Sequence, residues 1–89
     1  MPQVSEAFRQ IVAGVLDIPP EEVTPELGFG QVEAWDSFGH LQIVLALEGE
    51  YGIQFDPQLI PKLTTVAMLQ SELERRGIQP QESLGIIGP

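Results

Sequence analysis

Cysteine is absent from the 89 residues, Lys and Arg together number only 4, and there is a single His. Each scarcity excludes something. Without thiols the chain builds no disulfide, no thiolate nucleophile and no cysteine-ligated zinc site, a composition that a reducing compartment tolerates. With 4 basic residues against 13 acidic ones the formal net charge is -9. Such a chain cannot assemble the cationic patch whose counterion release drives nucleic-acid binding, so nucleic acid is excluded as a partner. No apolar run approaches the roughly 18 residues that span a bilayer. The N-terminal Met1-Pro2-Gln3-Val4-Ser5-Glu6 lacks the basic lead and apolar core of a secretion signal. The expectation is a soluble, cytoplasmic monomer with no membrane partner. Hydrophobic residues make up 43% of the chain, too many for disorder throughout. A chain of this length forms one domain burying about 60–65% of its unfolded surface, with one small core and no room for a deep private active site.

The apolar residues fall into helical registers. Val4, Phe8, Ile11, Val12 and Val15 lie on one stripe of a helix of about three turns. It ends near Leu16, because Pro19 and Pro20 lack amide donors and push the residues before them out of helical geometry. From Asp17 to Asp36 there is no sustained period. A connection of that length is functional or carries its own short turn, for which Pro19-Pro20-Glu21-Glu22-Val23 is the candidate. Helical spacing returns from Ser37 to Tyr51, where Leu41, Leu45 and Glu48 mark one line while Phe38, Ile43, Val44, Leu47 and Tyr51 widen the apolar face. Asp36 and Ser37 each offer a short acceptor to the free amides of its first turn. Gly39 and Gly49 each weaken it by about 1 kcal/mol relative to Ala. Asp56-Pro57 opens a short helix carrying Leu59 and Ile60. Thr64 or Thr65 caps a last helix in which Val66, Leu69 and Leu73 recur, with Arg75 and Arg76 complementing its dipole and Gly77 terminating it. Leu41, Ile43, Leu47, Tyr51, Leu69 and Leu73 read as core. The predicted fold is all-α: a small four-helix bundle, three longer helices and one short, with a long loop between the first two. Residues 1–77 make the domain. Residues 78–89 make a tail that frays or, through Leu84, Ile86 and Ile87, docks loosely.

Ser37 stands where chemistry is expected. A Ser at a helix start has its hydroxyl near solvent and near the positive end of the dipole, where a phosphate on that oxygen is favoured. The alternative is capping alone. Between Arg9 and Lys62 there is no Lys or Arg, whereas Asp17, Glu21, Glu22, Glu26, Glu33, Asp36, Glu48, Glu50 and Asp56 all lie there. This field is either an ordinary solvated face or one that steers a basic partner toward Ser37. In the second case Val44 and Leu45 give the partner apolar footing, with Glu48 and Glu50 beside them. Trp35 is either filler at the loop end or an exposed contact next to Ser37, and Phe38 divides similarly.

Taken in order, Glu22-Val23-Thr24-Pro25-Glu26, Asp36-Ser37-Phe38, Ala46-Leu47-Glu48-Gly49-Glu50-Tyr51-Gly52-Ile53 and Leu63-Thr64-Thr65-Val66 resemble the acyl carrier proteins. The triplet alone is uninformative, but its order with the flanking segments is specific and spans residues 4 to 76. The resemblance implies an acyl-carrier type of bundle in which Ser37 receives 4'-phosphopantetheine from coenzyme A. Asp36 is then the adjoining motif residue, and Phe38 takes the Leu or Met position. The implied partners are a phosphopantetheinyl transferase, an acyl- or aminoacyl-loading ligase or synthase, and a downstream transferase or synthase. The implied function is carriage of acyl or aminoacyl intermediates as thioesters in fatty acid, polyketide or nonribosomal peptide biosynthesis, with no catalysis by the carrier. The attached arm would bring the thiol that the chain itself lacks. The run Trp35-Asp36-Ser37-Phe38-Gly39-His40-Leu41 is most similar to small stand-alone carriers loaded in trans. Gly39 replaces an acidic residue common in fatty-acid carriers, and Ala34-Trp35 stands where peptidyl carriers often have a Gly-Gly pair. Both departures leave the attachment chemistry intact and the cargo class open.

Three other readings compete. His40, three residues after Ser37, is within reach of a hydroxyl–imidazole contact. A hydrolase is nevertheless disfavoured, because the glycine elbow around Ser37 is missing and no buried Asp is evident. His40 is therefore expected at the surface or a cleft rim. The oxygen-ligand alternation of a calcium loop is absent, so no metal site is expected. The remaining rival is an unmodified acidic helical protein–protein interaction module of the same fold, in which Ser37 has no special chemistry.

Overall fold

Ser5 begins the first helix. Its hydroxyl accepts from the Phe8 amide at 3.2 Å, and α1 runs Glu6–Leu16. Asp17 closes it in the left-handed region at φ 57, returning its amide to the Ala13 carbonyl. The two prolines then allow only a 3₁₀ turn at Pro20–Glu22. In this computed structural model, which describes residues 4–80, the second helix, α2, is Ser37–Tyr51 and the third, α3, is Val66–Arg75. Thr65, one of the two expected caps, accepts from the Met68 amide at 3.2 Å. Past the end of α3, Gly77 has φ 82.

The expected short helix from Asp56 does not form. Residues 57–59 make a turn and Ile60–Lys62 a 3₁₀ turn. Asp56 still caps, accepting from Gln58 N at 2.9 Å. The helix fails because Pro61 cannot donate back to Pro57 and disfavours helical geometry at Ile60. The fold is therefore all-α, with three helices among the described residues and 3₁₀ turns in the connections.

The long first connection is not loose. Val66 and Ala67, whose amides are free donors in the first turn of α3, bond the Leu27 and Pro25 carbonyls at 2.9 and 3.0 Å. Phe29 N donates to Thr64 O at 2.9 Å, and Gly28 pairs with Thr65 across this junction. A Cβ at Gly28 would stand 2.6 Å from the Thr64 carbonyl oxygen, so the approach requires glycine. These bonds fix the segment that delivers the chain to α2.

In the core, α1 contributes Phe8, Val12 and Leu16, α3 contributes Val66, Leu69 and Leu73, and the loops bring Val23, Trp35 and Phe55. Along α2 the buried line is His40, Ile43, Val44, Leu47 and Tyr51, an i, i+3, i+4, i+7, i+11 series. Leu41, expected in the core, is 47% exposed. Since α2 is apolar on both sides, spacing alone does not select the face that packs.

Polar groups join the elements. Buried Gln70 of α3 accepts from Ser5 N at 3.0 Å, tying α3 to the start of α1. Glu72, also buried, accepts from Arg75 at 2.6 and 3.0 Å and from Arg76 at 3.0 Å. Arg76 reaches the Gln54 carbonyl at 2.8 Å and lies over the Phe55 ring, 5.6 Å from its centroid. These two arginines therefore do more than complement a dipole. The hydrogen bond from Arg75, reinforced by Arg76, outweighs burial and holds the Glu72 carboxyl down at about 2. Tyr51 donates its hydroxyl to the Pro80 carbonyl, and burial, aided by the charge of Glu50, pushes its own ionisation up to about 12. Ile78 packs against the core at the start of the expected tail. Leu84, Ile86 and Ile87 lie outside the described residues.

Candidate functional site

Asp36 and Ser37 divide the two roles that the sequence left open at the start of α2. Asp36 is the cap: its Oδ1 accepts from Gly39 N at 2.8 Å and its carbonyl from His40 N at 2.8 Å. Ser37 is the first helical residue and is exposed, its hydroxyl not used for capping. The close start of this helix depends on Gly39. A Cβ there would lie 1.9 Å from the Ala34 carbonyl oxygen, so the residue that replaces the common acid is required by backbone packing.

Ser37 stands on the rim of an open cleft of about 350 Å³, lined also by Phe29, His40, Ile60, Pro61 and Thr64. The long loop supplies Phe29, α2 supplies Ser37 and His40, and the segment before α3 supplies the rest. The junction between Phe29 and Thr64 thus forms one wall. Phe29 and Pro61 went unnoticed in the sequence, and Ile60 and Thr64 were read there as helix and cap residues rather than as part of the site. For Phe29 a signal existed: a large aromatic between Gly28 and Gly30 in a segment without periodicity.

His40 is not at the surface but 6% exposed, at the floor of this cleft. Trp35 Nε1 donates to His40 Nδ1 at 2.9 Å, and His40 Nε2 is 2.9 Å from the Ile60 carbonyl. An indole N–H can only donate, so Nδ1 must be the acceptor and the proton sits on Nε2, donating to Ile60. Phe29 sets its ring against the imidazole at 6.0 Å and 78°. With both nitrogens engaged in this way, His40 faces Trp35 and Ile60, and the hydrolase reading loses its base.

Val44 was expected at a partner surface, and Trp35 either there or as filler at the loop end; the structure corrects the first and selects the filler role for the second. Trp35 is fully buried beneath the cleft, and Val44 belongs to the packed side of α2. Phe38, Leu41 and Leu45, spaced i, i+3, i+7, form the opposite stripe, 68%, 47% and 56% exposed. Glu48 is partly buried, and its Oε2 accepts from Phe55 N at 2.8 Å, giving it a structural task. Glu50 is also partly buried.

The arrangement combines an exposed hydroxyl at the positive end of a 15-residue helix, a small apolar cleft beside it, and an exposed apolar stripe running away from it. Such a site suits a phosphate ester on Ser37, with the apolar walls Phe29, Ile60 and Pro61 beside it. The family model described as phosphopantetheine attachment site matches residues 6–78. An acyl carrier protein of Thermosynechococcus vestitus is 34% identical over 64 residues, 72% of this chain and 79% of that protein. Acyl carrier protein 3 of Ralstonia nicotianae is 30% identical over 82 residues, 88% of this chain and 94% of that one. The chain belongs to the acyl carrier family, whose cofactor is 4'-phosphopantetheine. Among the described residues no helix is long and apolar enough to cross a membrane.

Proposed function

We propose that the chain carries acyl or aminoacyl intermediates on a 4'-phosphopantetheine arm attached to Ser37 and presents them to successive biosynthetic enzymes. The observation that supports this most directly is the exposed Ser37 hydroxyl at the start of α2, on the rim of the cleft. Asp36 holds the helix start by capping, which keeps Ser37 at the first helical position, while Phe38 stands outside as apolar contact. When attached, the group supplies a flexible spacer ending in a thiol, to which cargo is joined as a thioester. Attachment would form one bond from Ser37 Oγ to the pantetheine-side phosphorus of coenzyme A and break the pyrophosphate bond from that phosphorus to the nucleotide, which leaves as the 3',5'-bisphosphate while the hydroxyl proton is released. A phosphopantetheinyl transferase provides that chemistry, a ligase or synthase loads the arm, and a downstream transferase or synthase removes the cargo. The carrier itself catalyses no step.

Docking of these partners falls to the stripe Phe38, Leu41 and Leu45, with Glu50 on the same helix. Exposed aromatic and aliphatic groups beside acids suit a basic, partly apolar surface that binds and releases quickly. Tethering keeps cargo at high effective concentration near whichever enzyme is docked. The working unit is a monomer in the cytoplasm, where coenzyme A is available, and its folded part extends past residue 77 to take in Ile78 and the Pro80 carbonyl held by Tyr51. The same apolar stripe supports a second reading, an interaction module that is never modified.

Intact-protein mass spectrometry after incubation with coenzyme A and a broad-specificity transferase, followed by peptide mapping, separates the two. One phosphopantetheine on Ser37, abolished in Ser37→Ala with unchanged helical signal and melting, is the expected result. A folded protein that gains nothing, beside a control carrier that does, overturns the carrier reading.

A further inference from the structure

We infer that this carrier keeps its cargo outside the helical bundle, so that its cargo is a short, compact acyl or aminoacyl group; the inference rests on the carrier reading of Ser37. Inward from the cleft that Ser37 shares with His40 stand that imidazole and the fully buried indole of Trp35. These two residues are joined to each other and to Ile60 by hydrogen bonds of 2.9 Å. The bridge runs from the long loop through α2 to the 3₁₀ turn and ties the three elements together at the floor. Behind it Ile43, Leu47, Leu69 and Leu73 are fully buried.

An alkyl chain entering the bundle would have to separate the bridge, leaving the indole N–H and the Ile60 carbonyl without partners in a dry interior. It would also have to displace side chains packed at interior density. In front of the floor the cleft of about 350 Å³ lies at the small end of the range for ligand pockets, and an attached tether would take up part of it. A long chain would therefore remain in water, which is unfavourable, whereas a short group is accommodated beside Phe29, Ile60 and Pro61.

The test loads the apo-protein from acetyl-, butyryl- and octanoyl-coenzyme A with a broad-specificity phosphopantetheinyl transferase, a control carrier being loaded in parallel, verifies each adduct on Ser37 by mass and peptide mapping, and compares melting temperatures and the methyl NMR shifts of Ile43 and Leu47. The three forms are expected to melt together, with core methyls that do not respond to chain length. In His40→Ala, which opens the floor, the octanoyl form is expected to melt above its acetyl form and to move those methyls. If that variant does not fold, Trp35→Phe keeps an aromatic ring but deletes the N–H of the bridge and serves in its place. A rise of about 4 °C or more for octanoyl over acetyl in the wild type overturns the inference, since only a chain buried in the folded state stabilises it. Absence of length dependence in the folded variant overturns the role of the bridge. Failure to form any adduct overturns the carrier reading and this inference with it, whereas adducts with a length-dependent rise overturn the inference alone.

Discussion

Trp35 and His40 are partners in a buried hydrogen bond of 2.9 Å between Nε1 and Nδ1, with the two rings nearly parallel at 19°. The bond sets the imidazole tautomer, anchors the end of the long loop to α2 and places both side chains beneath Ser37. Trp35→Phe removes the donor and strands Nδ1 as a buried acceptor, which costs about 1–3 kcal/mol. The expected fall in melting temperature is roughly 4–8 °C for each kcal/mol in a domain of this size. An unchanged urea midpoint would show that the bond contributes nothing net.

Two glycines of α2 should respond oppositely to the same change. At Gly39 the added methyl meets the Ala34 carbonyl, and the overpacking is expected to destabilise by about 1–3 kcal/mol. Gly49 has nothing within 4 Å of a new Cβ, so Gly49→Ala is expected to stabilise by about 0.5–1 kcal/mol through backbone entropy. Equal effects in denaturant titrations would contradict the packing described for the start of α2.

Glu72 makes stability depend on acid. Its carboxyl ionises at about 2 in the folded chain against 4.5 ordinarily. The folded state therefore binds the proton less readily than the unfolded one. Its contribution is complete above pH 4.5 and is lost as pH falls toward 2. Glu72→Gln should melt lower than wild type at neutral pH, and the difference should shrink as the pH is lowered through that window. A difference that stays constant with pH would assign the loss to packing rather than to the charged bonds from Arg75 and Arg76.

The acids of α2 separate into structure and docking. Glu48→Lys leaves the Phe55 amide without its acceptor and is expected to cost about 1 kcal/mol in stability. Glu50→Lys is expected to leave the urea midpoint nearly unchanged while slowing transferase loading, more at low salt than at high. A rate insensitive to salt in both proteins would remove the electrostatic part of the docking argument.

Not all of the site was equally legible beforehand. Ser37 could be singled out because its neighbours in sequence, from Val23-Thr24-Pro25 to Thr64-Thr65-Val66, occur in a characteristic order. The cap at Thr65 and the ends of α1 and α3 follow from local rules of hydroxyl, proline and glycine placement. His40 was misjudged because a polar residue three positions after a serine suggests a surface pair. Its place on the line that continues through Ile43, Val44, Leu47 and Tyr51 was the available signal. The short helix at Asp56 was overestimated because the proline that opens a helix is soon followed by another that stops it.

The amino-acid sequence alone determined three helical segments, a serine at a helix start and an acidic interval without cations, since these depend on neighbours a few residues apart. Only the tertiary structure decided which apolar side of α2 is buried, because either side could pack and the choice belongs to the elements that meet it. It also decided that Trp35 and Val44 lie inside while Phe38, Leu41 and Leu45 lie outside. The floor beneath Ser37 is of the same kind: Ile60, 20 residues beyond His40, meets the imidazole in a structure where Thr64 is also docked on the long loop.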